Sequence, residues 1–225
     1  MKKNRHTLRA LALLLGYPDA RLREVLPQLS DAIDAEAALP KARRAELRAF
    51  AAEMQRIDPI DLESRYVELF DRGRATSLHL FEHVHGDSRD RGPAMIDLTQ
   101  TYEKAGLFLG PHELPDHLCV VLEFASTQPP AVAREFLGEM AHILNSIFSA
   151  LRKRDSRYAS VLAAVLELAG QKAEAVPVVD DAPIDESWAE PEAFGGCDSK
   201  GQAAPGQPQP IHIVRKNTPA QGARA

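Results

Sequence analysis

Apolar residues recur at three- and four-residue spacing from Leu8 almost to Gly170, and that period commits the chain to helices. The first set, Leu8, Leu11, Ala12 and Leu15, falls on one face and stops at Gly16-Tyr17-Pro18. A second starts near Asp19 with Leu22, Val25, Leu26, Leu29 and Ile33. Pro27 lies inside it, where proline removes a donor and crowds the preceding turn, so a kink or split is expected. Pro40 suits the first turn of a third helix carrying Leu47, Phe50 and Met54. Asp58-Pro59 reads as an N-cap followed by proline at the first helical position, opening a helix with Leu62, Tyr66, Leu69 and Phe70.

The period breaks between Asp71 and Gly92, where DRGRATSLHLFEHVHGDSRDRG is rich in charge, glycine and histidine around a short apolar piece, Leu78 to Val84. Helical spacing resumes with Met95, Leu98, Thr99 and Tyr102 up to Gly106, which fits the left-handed position just past a helix end. It returns after Pro115 with Leu118, Val121, Leu122 and Ala125. A long helix is expected over Ala131 to Leu151, and a last one, capped by Ser156, carries Val161, Leu162, Val165 and Leu168. The expected fold is all-α: one bundle-like domain of about eight helices over residues 1–175.

Over 176–225 the composition shifts, with seven of the 16 prolines, five of the 13 glycines and almost no helical period. A largely disordered tail is expected there. Its exceptions are the acidic stretch Ile184 to Phe194, which holds the single tryptophan Trp188, and the apolar patch Ile211 to Val214; either could dock on the globule or a partner.

Net charge is −5 with both signs interspersed, so no basic footprint for nucleic acid or an anionic membrane emerges. Two cysteines, Cys119 and Cys197, make a disulfide framework unlikely and fit a reducing compartment. The basic N-terminus resembles a signal n-region, yet its apolar run ends at Gly16 without a cleavage pattern. With no run near the roughly 20 apolar residues that span a bilayer, a cytoplasmic protein is expected.

Candidate chemistry concentrates where the period breaks. His79, His83 and His85 with Glu82 could hold a metal, since residues four apart share a helix face. A metal-dependent hydrolase using His79, His83 and Asp87 is therefore one reading, although the glutamate directly precedes the second histidine, unlike a zincin. The other holds these groups in hydrogen bonds with Asp87, Arg89 and Asp90 beside an irregular connection. No nucleophile elbow exists, and neither cysteine has a flanking motif that would activate it. Arg152-Lys153-Arg154 with Arg157 sits at a helix C-terminus, where cations offset the dipole. What is left is a helical scaffold suited to binding a peptide in a groove between helices.

Two short motifs carry the reading further. Tyr66-Val67-Glu68-Leu69-Phe70 resembles the Y-x-x-L-F element, and Glu113-Leu114-Pro115-Asp116-His117 the E-x-P-D-H element, of the redox-enzyme maturation chaperones. The string from Ser77 to Gly92, SLHLFEHVHGDSRDRG, resembles the signature of one branch, the delta subunits of respiratory nitrate reductase; LALLLGYP near the start and Asp185 to Pro191 in the tail are similar to that branch too. The resemblance implies a chaperone fold and a non-enzymatic role. Such a chaperone would bind the apo alpha subunit of nitrate reductase, including its N-terminal segment, and keep it competent for molybdenum cofactor insertion. It would hold no cofactor stably, deal with molybdenum cofactor biosynthesis proteins as further partners, and leave before the enzyme is finished. The client-facing candidates it points to are Tyr66, Phe70, His79, Phe81, Glu82, His83, His85, Asp87, Arg89, Pro115, Asp116 and His117. Asp116, Glu82 or Asp87 could pair with basic residues of the client, and Asp116 could equally cap the helix that follows Pro115; for Tyr66 and Phe70, core packing competes with client contact.

Overall fold

The computed structural model describes residues 3–86 and 88–177. All belong to one unit, Met1–Asp181. Asp87, Trp188 and the two expected docking elements of the tail lie outside the described residues.

Ten α-helices occur among the described residues: α1 Arg5–Leu15, α2 Ala20–Glu36, α3 Lys41–Arg56, α4 Pro59–Phe70, α5 Leu80–Val84, α6 Arg91–Lys104, α7 Leu118–Thr127, α8 Pro130–Glu139, α9 Ala141–Lys153 and α10 Ala159–Leu168. A 3-10 turn, Arg74–Thr76, joins α4 to α5. The all-α expectation holds, and no helix among the described residues is long and apolar enough to cross a membrane.

Helix α1 is central and packs against α7, α2 and α10. Its sequence pattern suggested one buried face, but Ala10 and Leu14 are buried along with Leu8, Leu11, Ala12 and Leu15, because neighbours surround it. A helix start enclosed in this way must find partners for its amides. Glu36, at the end of α2, supplies them: its carboxylate accepts from the backbone N–H of His6 at 3.2 Å and of Thr7 at 2.7 Å, and from the Thr7 hydroxyl at 2.7 Å.

The punctuation residues act locally. Asp19 accepts from the Leu22 amide at 2.8 Å, and Asp58 from Ile60 at 2.9 Å, with Pro59 at the first position of α4. Pro27 does not split α2, which runs through it unbroken. Pro27 sits on the exposed side, where water can serve the carbonyl it leaves unpaired. The long helix expected over Ala131 to Leu151 is instead two, α8 and α9, broken at Met140 (φ −92°, ψ 2°). Gly138, a weak helix former, lies two residues before the break.

Helix α6 begins at Arg91, earlier than its apolar pattern indicated, and buries only Leu98 and Tyr102. These two join Phe124 in a small second cluster, with Phe81, Leu107, Leu109, Val120 and Phe136 packed on it, beside the large core that holds the Leu-rich faces of the other helices. Three helix ends share one device: the N–H of Leu107 bonds to the Tyr102 carbonyl, that of Gln171 to Leu166 and that of Ser156 to Leu151, at 2.9 to 3.0 Å. The left-handed residue each end requires is Gly106 (φ 80°), Gly170 (φ 75°) and Asp155 (φ 51°), respectively.

Candidate functional site

The irregular segment and the E-x-P-D-H motif meet. His79 and His117 form an isolated antiparallel bridge, in which the Leu80 N–H donates to the Asp116 carbonyl at 3.0 Å and the Leu118 N–H to the Leu78 carbonyl at 2.9 Å. Each partner thereby delivers the chain into a helix, α5 on one side and α7 on the other. Pro115, buried just upstream, is pinned through its carbonyl, which accepts from the Tyr102 hydroxyl at 2.8 Å.

Asp116 is the hub. Its side chain has no solvent exposure. One carboxylate oxygen accepts from the Phe81 N–H at 3.2 Å and lies 3.6 Å from Arg91; the other is 3.4 Å from Nδ1 of His79. Asp116 does cap a helix, but not α7 as its position before that helix suggested. With its carbonyl on Leu80 and its carboxylate on Phe81, it caps α5, from the other side of the bridge. One buried acid thus fixes α5, a five-residue helix that buries only Leu80, and draws the start of α6 to it through Arg91.

Burial by itself would raise the Asp116 carboxyl. The hydrogen bond from His79, the charge on His79, the Phe81 amide and Arg91 together outweigh it and hold the group below its ordinary range. The same hydrogen bond lifts His79 above the usual histidine value, against burial. His117, whose ring meets that of His79 edge-on at 4.9 Å, moves the other way, lowered first by burial and then by the His79 charge.

The remaining candidates divide into four groups. Glu82 stays with the hub: its carboxylate lies 3.6 Å from Arg91. His83 and His85 turn elsewhere, His83 through Nε2 to the Ser77 carbonyl at 2.9 Å and His85 edge-on to Phe81 at 5.5 Å. Arg89 is exposed. Tyr66 and Phe70 lie in an aromatic cluster with Tyr158, their rings 4.8 Å apart, and the Tyr66 hydroxyl donates to the Leu15 carbonyl at 2.8 Å. Both are buried, so core packing accounts for their rings. Arg91, Ser77 and Tyr102 were not singled out from sequence; Arg91 and Ser77 lie within the same sixteen-residue string, which was a usable signal, whereas Tyr102 looked like any core tyrosine.

No group of three or more metal-ligating side chains converges among the described residues. His79 and His83 face different partners, so this arrangement lends the hydrolase reading nothing. Beside the hub lies a polar hollow of about 420 Å³ lined by Asp71, Arg72, Ser77, His79, Glu82 and Arg91 among others.

A family profile described as the nitrate reductase delta subunit matches residues 19–164. The chain belongs to the nitrate reductase delta subunit family. Among relatives, it is 44% identical over 187 residues to the nitrate reductase molybdenum cofactor assembly chaperone NarJ of Escherichia coli (strain K12), covering 79% of both chains. A second E. coli protein, NarW, described as a chaperone of the same kind, is 41% identical over 163 residues, or 72% of this chain and 68% of that one. Among solved structures, a chain from Archaeoglobus fulgidus described as a redox enzyme maturation protein superposes with a TM-score of 0.52 over 74% of this chain and 94% of its own, at 21% identity. That likeness is one of fold. The bridged hub is built largely from the stretch Ser77 to Gly92 and from Pro115, Asp116 and His117.

Proposed function

We propose that this protein is a dedicated assembly chaperone for respiratory nitrate reductase. It binds the apo alpha subunit, including its N-terminal segment, keeps it open to molybdenum cofactor insertion, and leaves before the finished enzyme; it is cytoplasmic, is not itself an enzyme, and holds no cofactor stably. The observation that carries this reading is the 44% identity, over 79% of both chains, to a protein named for that task. The hub supports it by a different route. Asp116 and its partners hold α5, α7 and the start of α6 together, and beside them His85, Arg89 and the hollow lined by His79, Glu82 and Arg91 form the face offered outward. Residues 1–175 act as the chaperone domain in this reading, with the tail from 176 as an appendage.

Mass spectrometry of what co-purifies with the protein from nitrate-respiring cells tests the client directly. The expected result is apo alpha subunit, together with molybdenum cofactor biosynthesis proteins. Absence of the alpha subunit, or stoichiometric presence of this protein in mature reductase, would sink the proposal.

A further inference from the structure

The connection between α6 and α7 holds an aromatic ring out into solvent. Phe108 is 79% exposed, more than any other large apolar side chain among the described residues. Its neighbours are not loose. Leu107 and Leu109 pack on the second cluster, the Leu107 N–H bonds to the Tyr102 carbonyl at 3.0 Å, and Gly106 takes the left-handed turn that starts the loop (φ 80°). Further along, the Glu113 carboxylate accepts from the Gly110 N–H at 2.7 Å. The loop is fastened on both sides of Phe108, so the ring is displayed from an ordered support.

Beside that ring lies a hollow of about 230 Å³ walled by α1, α7 and the loop itself. Tyr102, Leu107, Leu109, Val120 and Phe124 give it an apolar lining. An apolar cavity of about 150 Å³ takes a benzene ring, so this one has room for a phenyl group. The charges around it are split by sign. The α1 wall carries Arg5 and Arg9, one helical turn apart, whereas Glu123 on α7 and Glu113 on the loop are acidic. All four are exposed, and none makes an ion pair among the described residues.

A knob, a hole that fits it, and unmatched charges of both signs on separate walls thus share one patch. An isologous contact needs this composition, because its two-fold axis brings each feature of one protomer onto its complement on the other. A polyanion would meet Glu113 and Glu123 here, and a basic peptide would meet Arg5 and Arg9. A second copy presents acids where this one presents bases. We propose that this face is an interface between two copies of the chain, Phe108 of each entering the hollow of the other while Arg5 and Arg9 of each face Glu123 of the other. The assignment does not depend on the chaperone reading. It places the dimer contact over Tyr102, whose hydroxyl holds the Pro115 carbonyl behind the hub. Two rings and a few charge pairs make a contact at the small end of specific interfaces, so a dissociation constant of about 10 to 100 µM is expected.

Sedimentation velocity on the full chain, from about 1 to 200 µM, tests this. The wild type should pass from monomer to dimer across that range. Phe108→Ser should weaken association by about tenfold or more and leave the melting temperature unchanged, since the ring contributes little to the free protomer. The decisive variants swap charge. Arg5→Glu with Arg9→Glu in one chain, and Glu123→Arg in another, should each sediment as monomers, because like charges then meet across the axis. Mixed together they should associate, because in the heterodimer opposite charges meet on both sides. A wild type that stays monomeric at every concentration overturns the proposal. So does a dimer that survives Phe108→Ser, as one formed by exchange of helices would, and so does a mixture of the two charge variants that fails to associate.

Discussion

Two regions of this molecule are held together by opposite means. Around α1 the fold rests on area: leucines with no exposure from α1, α7 and α10 pack together. From Asp71 to His117 there is little area to use, since α5 buries only Leu80 and α6 only Leu98 and Tyr102. There a single acid, Asp116, joins three segments. The first region should suffer most from loss of volume. The second should behave in reverse, and its stability should depend on pH.

The largest effect is expected at the centre. Leu11→Ala removes a side chain with no exposure from a helix packed on several sides, and should cost about 3 to 5 kcal/mol in denaturant-induced unfolding because its neighbours cannot all collapse into the space. A cost below about 1 kcal/mol would mean α1 is not the hub of the core. Asp116→Ala should come next, at about 2 to 3 kcal/mol, because it strands the Phe81 amide and leaves Arg91 and His79 without their buried acid. The comparison sharpens if the loss is local: hydrogen exchange should speed up at Leu80, Phe81 and Leu118 while the amides of α1 and α10 keep their protection. Uniform acceleration across the chain would erase the distinction between the two regions.

How far the sequence foretold each region follows from the same difference. Area-driven packing leaves a period, so α1 to α4 and α7 could be read from leucine spacing and from Asp19, Asp58 and Pro59, and the end of α6 from Gly106. Where period and cap agree the structure follows; where a backbone detail competes, as at Met140, one expected helix becomes two. The hub leaves no period. Asp116 and Phe81 are 35 residues apart in sequence, and nothing local says that an acid before α7 caps α5. The string Ser77 to Gly92 could be marked as unusual, and it does lie at the hub, but the Arg that mattered was Arg91 rather than Arg89. Glu36 closing the start of α1 is the same kind of miss, a cap delivered from 29 residues away.

pH divides the hub from the core more finely. His79 is raised above 6.5, so its bond to Asp116 contributes stability that is complete below the unfolded value and is lost as pH rises through the folded one. His117 is lowered, so it contributes above 6.5 and that contribution is lost as pH falls through its own folded value. Asp116, also lowered, contributes above its ordinary value of 3.8 and loses that only in stronger acid. The bridge is therefore held best in a window around the ordinary histidine value, bounded above by His79 and below by His117. Proton-detected titration should find the two rings on opposite sides of 6.5, and Asp116→Asn should bring His79 back down. Coincident titrations of the two histidines would contradict the geometry of the bridge.

The smallest effect concerns a helix end that both regions share in form. Gly106, Gly170 and Asp155 occupy the same left-handed position with the same pair of closing bonds, but only Asp155 carries a side chain there. A β-carbon in that conformation costs roughly 1 kcal/mol relative to glycine. Gly106→Ala should therefore destabilise by about that much, its effect confined to α6 because open space surrounds the site and no clash adds to the strain. Asp155→Gly should do the reverse and stabilise, but by less, since glycine also widens the unfolded ensemble. A fall in melting temperature for Asp155→Gly would instead mean that the aspartate side chain contributes more at this turn than its left-handed backbone costs.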